Sequence, residues 1–243
     1  MMTSQCPAEI LLRQEGRRET GGWLWEAARV LEDALLEERR DWSGLRVLEL
    51  GSGSGWLALR LASLGAEVTA TDRKGMLALL SRNVAINQRR WLDKEEEEGL
   101  QVEVEELDWD NLDTTWSLDD GGPHLIIGSD LVYLHENHPP LLRALTYLSS
   151  RGARCVLSWE ERKPVEEEQL IALADQMGFD CRLLHERVDT AAEELWDGRH
   201  DGKDRRLVVW ELLQRDVGST GKGSVHAAQS PASAVCSSDL VEL

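Results

Sequence analysis

Apolar and polar positions along this chain recur in two rhythms, and the switches between them lay out the elements. Trp23, Ala27, Val30, Leu31, Ala34 and Leu35 return at three- and four-residue steps. That predicts a helix that begins at Trp23 and fades over residues 37–40. Thr20 and the two glycines after it read as its start. Residues 46–50 read as a buried strand. Residues 56–64 return to the helical rhythm and stop at Gly65, a natural helix-ending glycine. A strand over 67–71, a helix over 75–88 and an alternating strand over 101–106 follow. After the turn signal of residues 119–123 come strand 124–128, helix 140–148, strand 153–158 and helix 165–177. Strands 179–185 and 207–213 close the periodic part.

Strand and helix thus alternate until two strands stand together at the end. Such alternation predicts an α/β fold with a parallel sheet and helices on both faces. Ligands in such sheets bind beyond the carboxyl ends of the strands. Residues 1–20 read as a polar N-terminal arm and 21–213 as one domain. From 214 to 243 Gly, Ser, Ala and Val dominate without periodicity, which predicts a disordered tail. The acidic run 95–98 reads as a solvated loop, and the long charged segment 187–206 as a loop of functional interest.

One stretch, VLELGSGSGWLALRLASLGAEVTATD, holds the first candidate chemistry. Gly51, Gly53 and Gly55 end the first strand. Glycine lets the backbone turn sharply and approach a ligand, and the helix that follows offers N–H groups to it. Asp72 lies 21 residues beyond Gly51, at the end of the second strand, where an acid can accept both hydroxyls of a ribose. Two ligand classes fit. A dinucleotide site prefers a third glycine where this chain has Trp56, whose indole would crowd a pyrophosphate. Glu49, just before the turn, instead suits a ligand that carries an amino group and a sulfonium, namely S-adenosylmethionine.

Composition narrows the partners. The net charge is −18 and the pI about 4.7, which argues against a general nucleic-acid binder and suits a basic protein substrate. Cys6, Cys155, Cys181 and Cys236 show no zinc-like spacing and read as reduced thiols. No apolar run approaches the roughly 20 residues that span a bilayer, and no signal-peptide core is visible. The expectation is a soluble cytoplasmic protein, also compatible with the nucleus, with no metal. Nothing demands more than a monomer. His135 and His138 read as surface residues of a loop.

The glycine stretch resembles the first motif of class I, seven-strand methyltransferases. Asp130, Leu131, Val132 and Tyr133 match the D-x-x-Y hallmark of methyltransferase family sixteen, rich in protein-lysine methyltransferases. Further matches lie in order at residues 25–28, 83–87, 107–109, 128–129 and 160–162. The resemblance covers about residues 20–213. It implies a Rossmann-like, mostly parallel sheet of seven strands with a reversed C-terminal hairpin. It implies S-adenosylmethionine as cofactor. Trp25 would sit against it, Gly51, Ser52 and Gly53 would wrap its amino-acid end, and Asp72 would hold the ribose. Trp109 would flank the adenine, Asp108 would accept from its exocyclic amine, and Ser129 would lie beneath. Asp130 and Tyr133 would receive a substrate lysine, the acid steering the ammonium and the ring facing the same cation. Glu160 and Arg162 would line the substrate side.

The resemblance implies a protein-lysine N-methyltransferase acting on a chaperone of the seventy-kilodalton heat-shock class, an AAA ATPase or an elongation factor. A small-molecule N-methyltransferase and a catalytically silent interaction module are the alternatives.

Overall fold

The computed structural model describes residues 10–14, 22–92, 99–112, 122–190 and 204–215. Helix α1 spans Glu26–Glu38, followed by β1 (Arg46–Leu50), α2 (Trp56–Ala62), β2 (Glu67–Asp72), α3 (Lys74–Leu92) and β3 (Val102–Glu106). Then come β4 (Leu125–Ser129), α4 (His138–Leu148), β5 (Arg154–Glu161), α5 (Pro164–Gln176), β6 (Phe179–Asp189) and β7 (Arg205–Gln214). The seven strands form one sheet in the order β3-β2-β1-β4-β5-β7-β6. The first five run parallel, while β7 is antiparallel to both β5 and β6.

Leu48, Leu50, Ile126 and Ile127 on the central strands are buried to 1% or less. Both faces of these strands are covered, so β4 reads as the apolar run Leu125–Ile127 and even Glu49 of β1 is buried. Two apolar clusters sandwich the sheet. One packs Leu31, Trp42, Leu59 and Leu61 on one face. The other packs Leu141, Leu145, Trp159 and Phe179 on the opposite face. Among the described residues no helix is long and apolar enough to cross a membrane.

Several boundaries differ from the sequence pattern. Helix α1 begins at Glu26, three residues later than the periodicity predicts, because Trp25 is extended (φ −97°, ψ 151°). Trp23 is therefore not a helical core residue but is 47% exposed. Strand β5 continues through Glu160 and Glu161, and β6 and β7 pair out to Asp189 and Arg205. The long loop shrinks accordingly, and residues 191–203 lie outside the described residues. Gln214 belongs to β7, and the N–H of Arg215 bonds the carbonyl of Gly178 at 2.8 Å, so the first two residues assigned to a tail are ordered. The rest of the tail, the acidic run, Thr20 and most of the arm also lie outside the described residues. His138 is corrected from surface to core. It opens α4, is 2% exposed, and its Nε2 lies 2.9 Å from the carbonyl of Val132. The apolar run after it pulls the ring inside, where that carbonyl satisfies it.

The two asparagines of the 83–87 match hold the described part of the arm. Asn87 exchanges hydrogen bonds with the N–H and carbonyl of Leu11 at 2.9 and 2.7 Å. Asn83 does the same with Arg13 at 2.9 and 3.0 Å, and also donates to the carbonyl of Ser54 at 2.8 Å. One turn of α3 thus mimics a neighbouring strand for residues 10–14 and steadies the glycine turn. Asn83→Ala removes both bonds to the Arg13 backbone and strands the buried Ser54 carbonyl, at a cost of about 2 kcal/mol. Thermal melting should show a fall of about 5 °C; an unchanged midpoint would mean that the ladder contributes nothing.

Candidate active site

At the carboxyl ends of β1, β2, β4 and β5 the structure opens a cavity of about 600 Å³, within the range of small-ligand sites. The ten residues that the resemblance assigns to the cofactor and the substrate lysine line it: Trp25, Gly51, Ser52, Gly53, Asp72, Asp108, Trp109, Ser129, Asp130 and Tyr133, whereas Gly55, the third glycine of the turn, is not among the lining residues. Glu160 and Arg162 line it as well. They come together because parallel strands in one sheet end at one edge. The shortened α1 frees Trp23 and Trp25 to face the same space.

The glycine turn is built by close approach. Gly51 has φ +60°, and a Cβ there would come 2.5 Å from a Leu131 methyl. A Cβ on Gly128 would meet the other Leu131 methyl at the same distance. The leucine inside D-x-x-Y is thus the wedge that locks the ends of β1 and β4. Ser52 is buried, and its N–H donates to the Thr71 carbonyl at 2.8 Å. Asp72 accepts from Gly53 N–H through Oδ2 and from Arg73 N–H through Oδ1, both at 2.8 Å.

Glu49 is 2% exposed and lines the cavity. Its carboxylate accepts from Ala58 N–H at 3.1 Å, so this α2 N–H serves the chain's own acid and not a ligand, as the sequence pattern had implied. Burial pushes its pKa up to about 8. Stability from a group whose folded pKa is raised is full below the unfolded value near 4.5 and is lost as pH rises through about 8. Glu49→Gln should therefore gain melting temperature relative to wild type between pH 5 and pH 8, without ligand. A pH-independent difference in melting curves would contradict the assignment.

Asp108 caps the short turn Trp109–Asn111, accepting from Asp110 N–H at 3.1 Å and from Asn111 Nδ2 at 2.8 Å. Part of its capacity is thereby used locally. Trp109 Nε1 is buried with no hydrogen-bond partner among the described residues. Trp56 also lines the cavity, but its Nε1 is drawn to Glu32 on α1 at 2.9 Å.

Asp130 differs from its expected setting. It is the one non-glycine with positive φ (+52°) among the described residues, and its carboxylate is 5% exposed. Arg162 grips both oxygens, Nη1 to Oδ1 at 3.2 Å and Nη2 to Oδ2 at 2.8 Å. The same guanidinium lies 5.8 Å over the Tyr133 ring. Burial works against the Arg162 charge, but the Asp130 carboxylate more than offsets it, and the pKa of Arg162 is raised. Glu160 stands near Arg205, Oε2 to Nη1 at 4.0 Å. Sequence reasoning did not foresee the Asp130–Arg162 pair or Arg205. The available signal was an acid and a base just past the ends of neighbouring parallel strands, where Ser129 is paired with Ser158.

A sequence model described as lysine methyltransferase matches residues 5–176. The chain belongs to the lysine methyltransferase family. Protein N-lysine methyltransferase METTL21A of Danio rerio is 38% identical over 190 residues, covering 74% of this chain and 82% of that protein. EEF1A lysine methyltransferase 3 of Xenopus tropicalis is 31% identical over 160 residues, covering 65% and 66%. The fold matches magnesium protoporphyrin IX methyltransferase from Synechocystis PCC 6803 with bound SAM, with a TM-score of 0.50, 17% identity, and coverage of 82% and 86%. This methyltransferase is an S-adenosylmethionine-dependent protein-lysine methyltransferase. The cavity fits that cofactor: a buried acid at Glu49 for its positive end, a cradle at Gly51 that a Cβ would fill, and an unpaired buried donor at Trp109.

Proposed function

We propose that this methyltransferase acts as a monomer on a lysine of a folded protein, a heat-shock chaperone of the seventy-kilodalton class, an AAA ATPase or an elongation factor. The last choice is supported by the likeness to EEF1A lysine methyltransferase 3. The site is proposed to work in the cytoplasm or nucleus, without nucleic acid, membrane or metal. The net charge of −18 supports a basic partner surface.

In this reading Gly51, Ser52 and Gly53 wrap the amino-acid end of the cofactor and Glu49 faces its positive charge. Asp72 accepts the ribose hydroxyls, Trp25 and Trp109 cover the flat faces, Asp108 meets the adenine amine, and Ser129 forms the floor. When bound, the cofactor supplies a methyl carbon on a sulfonium; the amine lone pair forms the N–C bond as the C–S bond breaks. The chain's own task is alignment and exclusion of water. A lysine amine with a reference pKa of about 10.4 must lose its proton to water before it can attack. Asp130 has lone pairs beyond the two that Arg162 uses, so it can accept an N–H of the amine and orient its free pair. Tyr133 walls the same side.

The observation that carries this reading is Asp130, held buried and in a left-handed conformation at the cavity edge. The test incubates the enzyme with radiolabelled S-adenosylmethionine and purified members of the three protein classes. Label in one of them is expected. Label confined to small molecules would replace this reading with metabolite methylation, and no label with intact cofactor binding would favour a silent binding module.

A further inference from the structure

Arg162 occupies both features that an incoming ammonium would use. Its fork covers the two Asp130 oxygens and its charge lies over the Tyr133 ring. A lysine could reach Asp130 by expelling it, but an ammonium is a point charge that cannot replace two parallel N–H bonds. Expulsion would also leave a guanidinium, now about one-third exposed, without its partner. The alternative is that Arg162 stays, and Asp130 meets the substrate as half of a neutral pair. A lone carboxylate beside an amine favours its charged form, whereas a paired one does so far less. Only the uncharged amine can attack.

We propose that Arg162 is a positioning residue that sets the protonation state of the substrate amine: by pairing with Asp130 it keeps the acid from holding the lysine as an unreactive ammonium. The proposal rests on the lysine-transfer reading above. The other charges around the pair support it. Glu160 on β5 has Arg205 on β7 at 4.0 Å, a second acid with a cation beside it. Tyr133 follows Asp130 on the same segment. Asp108 and Asp110 lie past β3, and Glu49, Asp72 and Arg73 belong to the glycine-turn side of the cavity, where the cofactor's positive charge would face them. Arg162 is the cation that touches Asp130 itself.

The test is the pH dependence of kcat from pH 6.5 to 10 for wild type, Arg162→Gln and Arg162→Lys. The probes are whichever of the three purified proteins takes up label, and n-butylamine as a minimal amine. Arg162→Gln leaves Asp130 as a lone anion, so the amine's apparent pKa rises. Its rate should rise at a pH about 1 unit or more above wild type. Its deficit should be about tenfold or more at pH 7.5 and shrink by pH 10, with no increase in amine KM. Arg162→Lys keeps the charge and should keep the wild-type midpoint. Calorimetry with S-adenosylhomocysteine and thermal melting report cofactor binding and folding independently of activity.

Should Arg162→Gln fail to fold, the double variant Asp130→Asn with Arg162→Gln removes both charges with near-isosteric amides. Whatever its residual rate, its midpoint should match wild type. Equal midpoints in wild type and Arg162→Gln, with a uniform loss at every pH, would reduce Arg162 to a structural prop and overturn the proposal. So would a shifted midpoint in the double variant. A wild type that binds S-adenosylhomocysteine but methylates no probe at any pH would instead strike the lysine reading, and the proposal with it.

Discussion

Asp130→Asn should lower kcat for lysine methylation by about 100-fold, while S-adenosylhomocysteine affinity stays within about threefold of wild type. Asparagine is the right replacement because residue 130 has φ +52°. Asparagine tolerates that left-handed conformation, whereas alanine would add backbone strain to the chemical change. The amide keeps the shape but loses the charge that holds both Arg162 nitrogens. A buried pair broken on one side costs about 3–5 kcal/mol, and the isosteric amide recovers part of it. The damage should therefore fall on alignment of the amine. Asp130 lies beyond β4 and makes no described contact with Asp72, so cofactor affinity separates the two functions. Activity within threefold of wild type would remove Asp130 from the chemistry.

Asp72→Ala should have the opposite signature, a cofactor affinity weaker by about 30-fold or more with a smaller effect on kcat at saturation. One charge-assisted hydrogen bond contributes about 1.5–3 kcal/mol, and a ribose offers two hydroxyls. The substitution also frees Gly53, whose N–H is held by Asp72 Oδ2 at 2.8 Å, so the glycine turn loses a restraint together with its ligand contact. Calorimetry with S-adenosylmethionine checks this directly. An unaltered dissociation constant would refute the ribose assignment.

These two acids differ in how far the sequence alone reveals them. Asp72 is legible because a local rule places it: a strand, a glycine turn, a short helix and a second strand put the acid beside the turn. The sheet follows for the same reason, since its parallel strands read as short, β-branched and apolar-rich stretches between helical ones. Asp130 is legible as a position but not as a partner. Its pairing with Arg162 spans 32 residues and depends on β5 running to Glu161 and turning there, which no local periodicity encodes. Arg205 and Asn83 fall in the same class. An asparagine on a helix looks like a polar surface residue until the arm it holds is in view. The late start of α1 is invisible because Trp23 fits the helical spacing, yet Trp25 leaves the helix to face the cavity. His138 was misplaced because the prolines beside it signal a loop, while they in fact open α4.

The most direct test of lysine transfer at this cavity is identification of the methylated residue. The protein is incubated with S-adenosylmethionine carrying a labelled methyl group and with the purified chaperone, ATPase and elongation factor. The labelled protein is then hydrolysed and its amino acids are separated. The account predicts label in Nε-methyllysine, formed by wild type and lost with Asp130→Asn although that variant still binds S-adenosylhomocysteine. Label in another amino acid, or equal label from the variant, would contradict it.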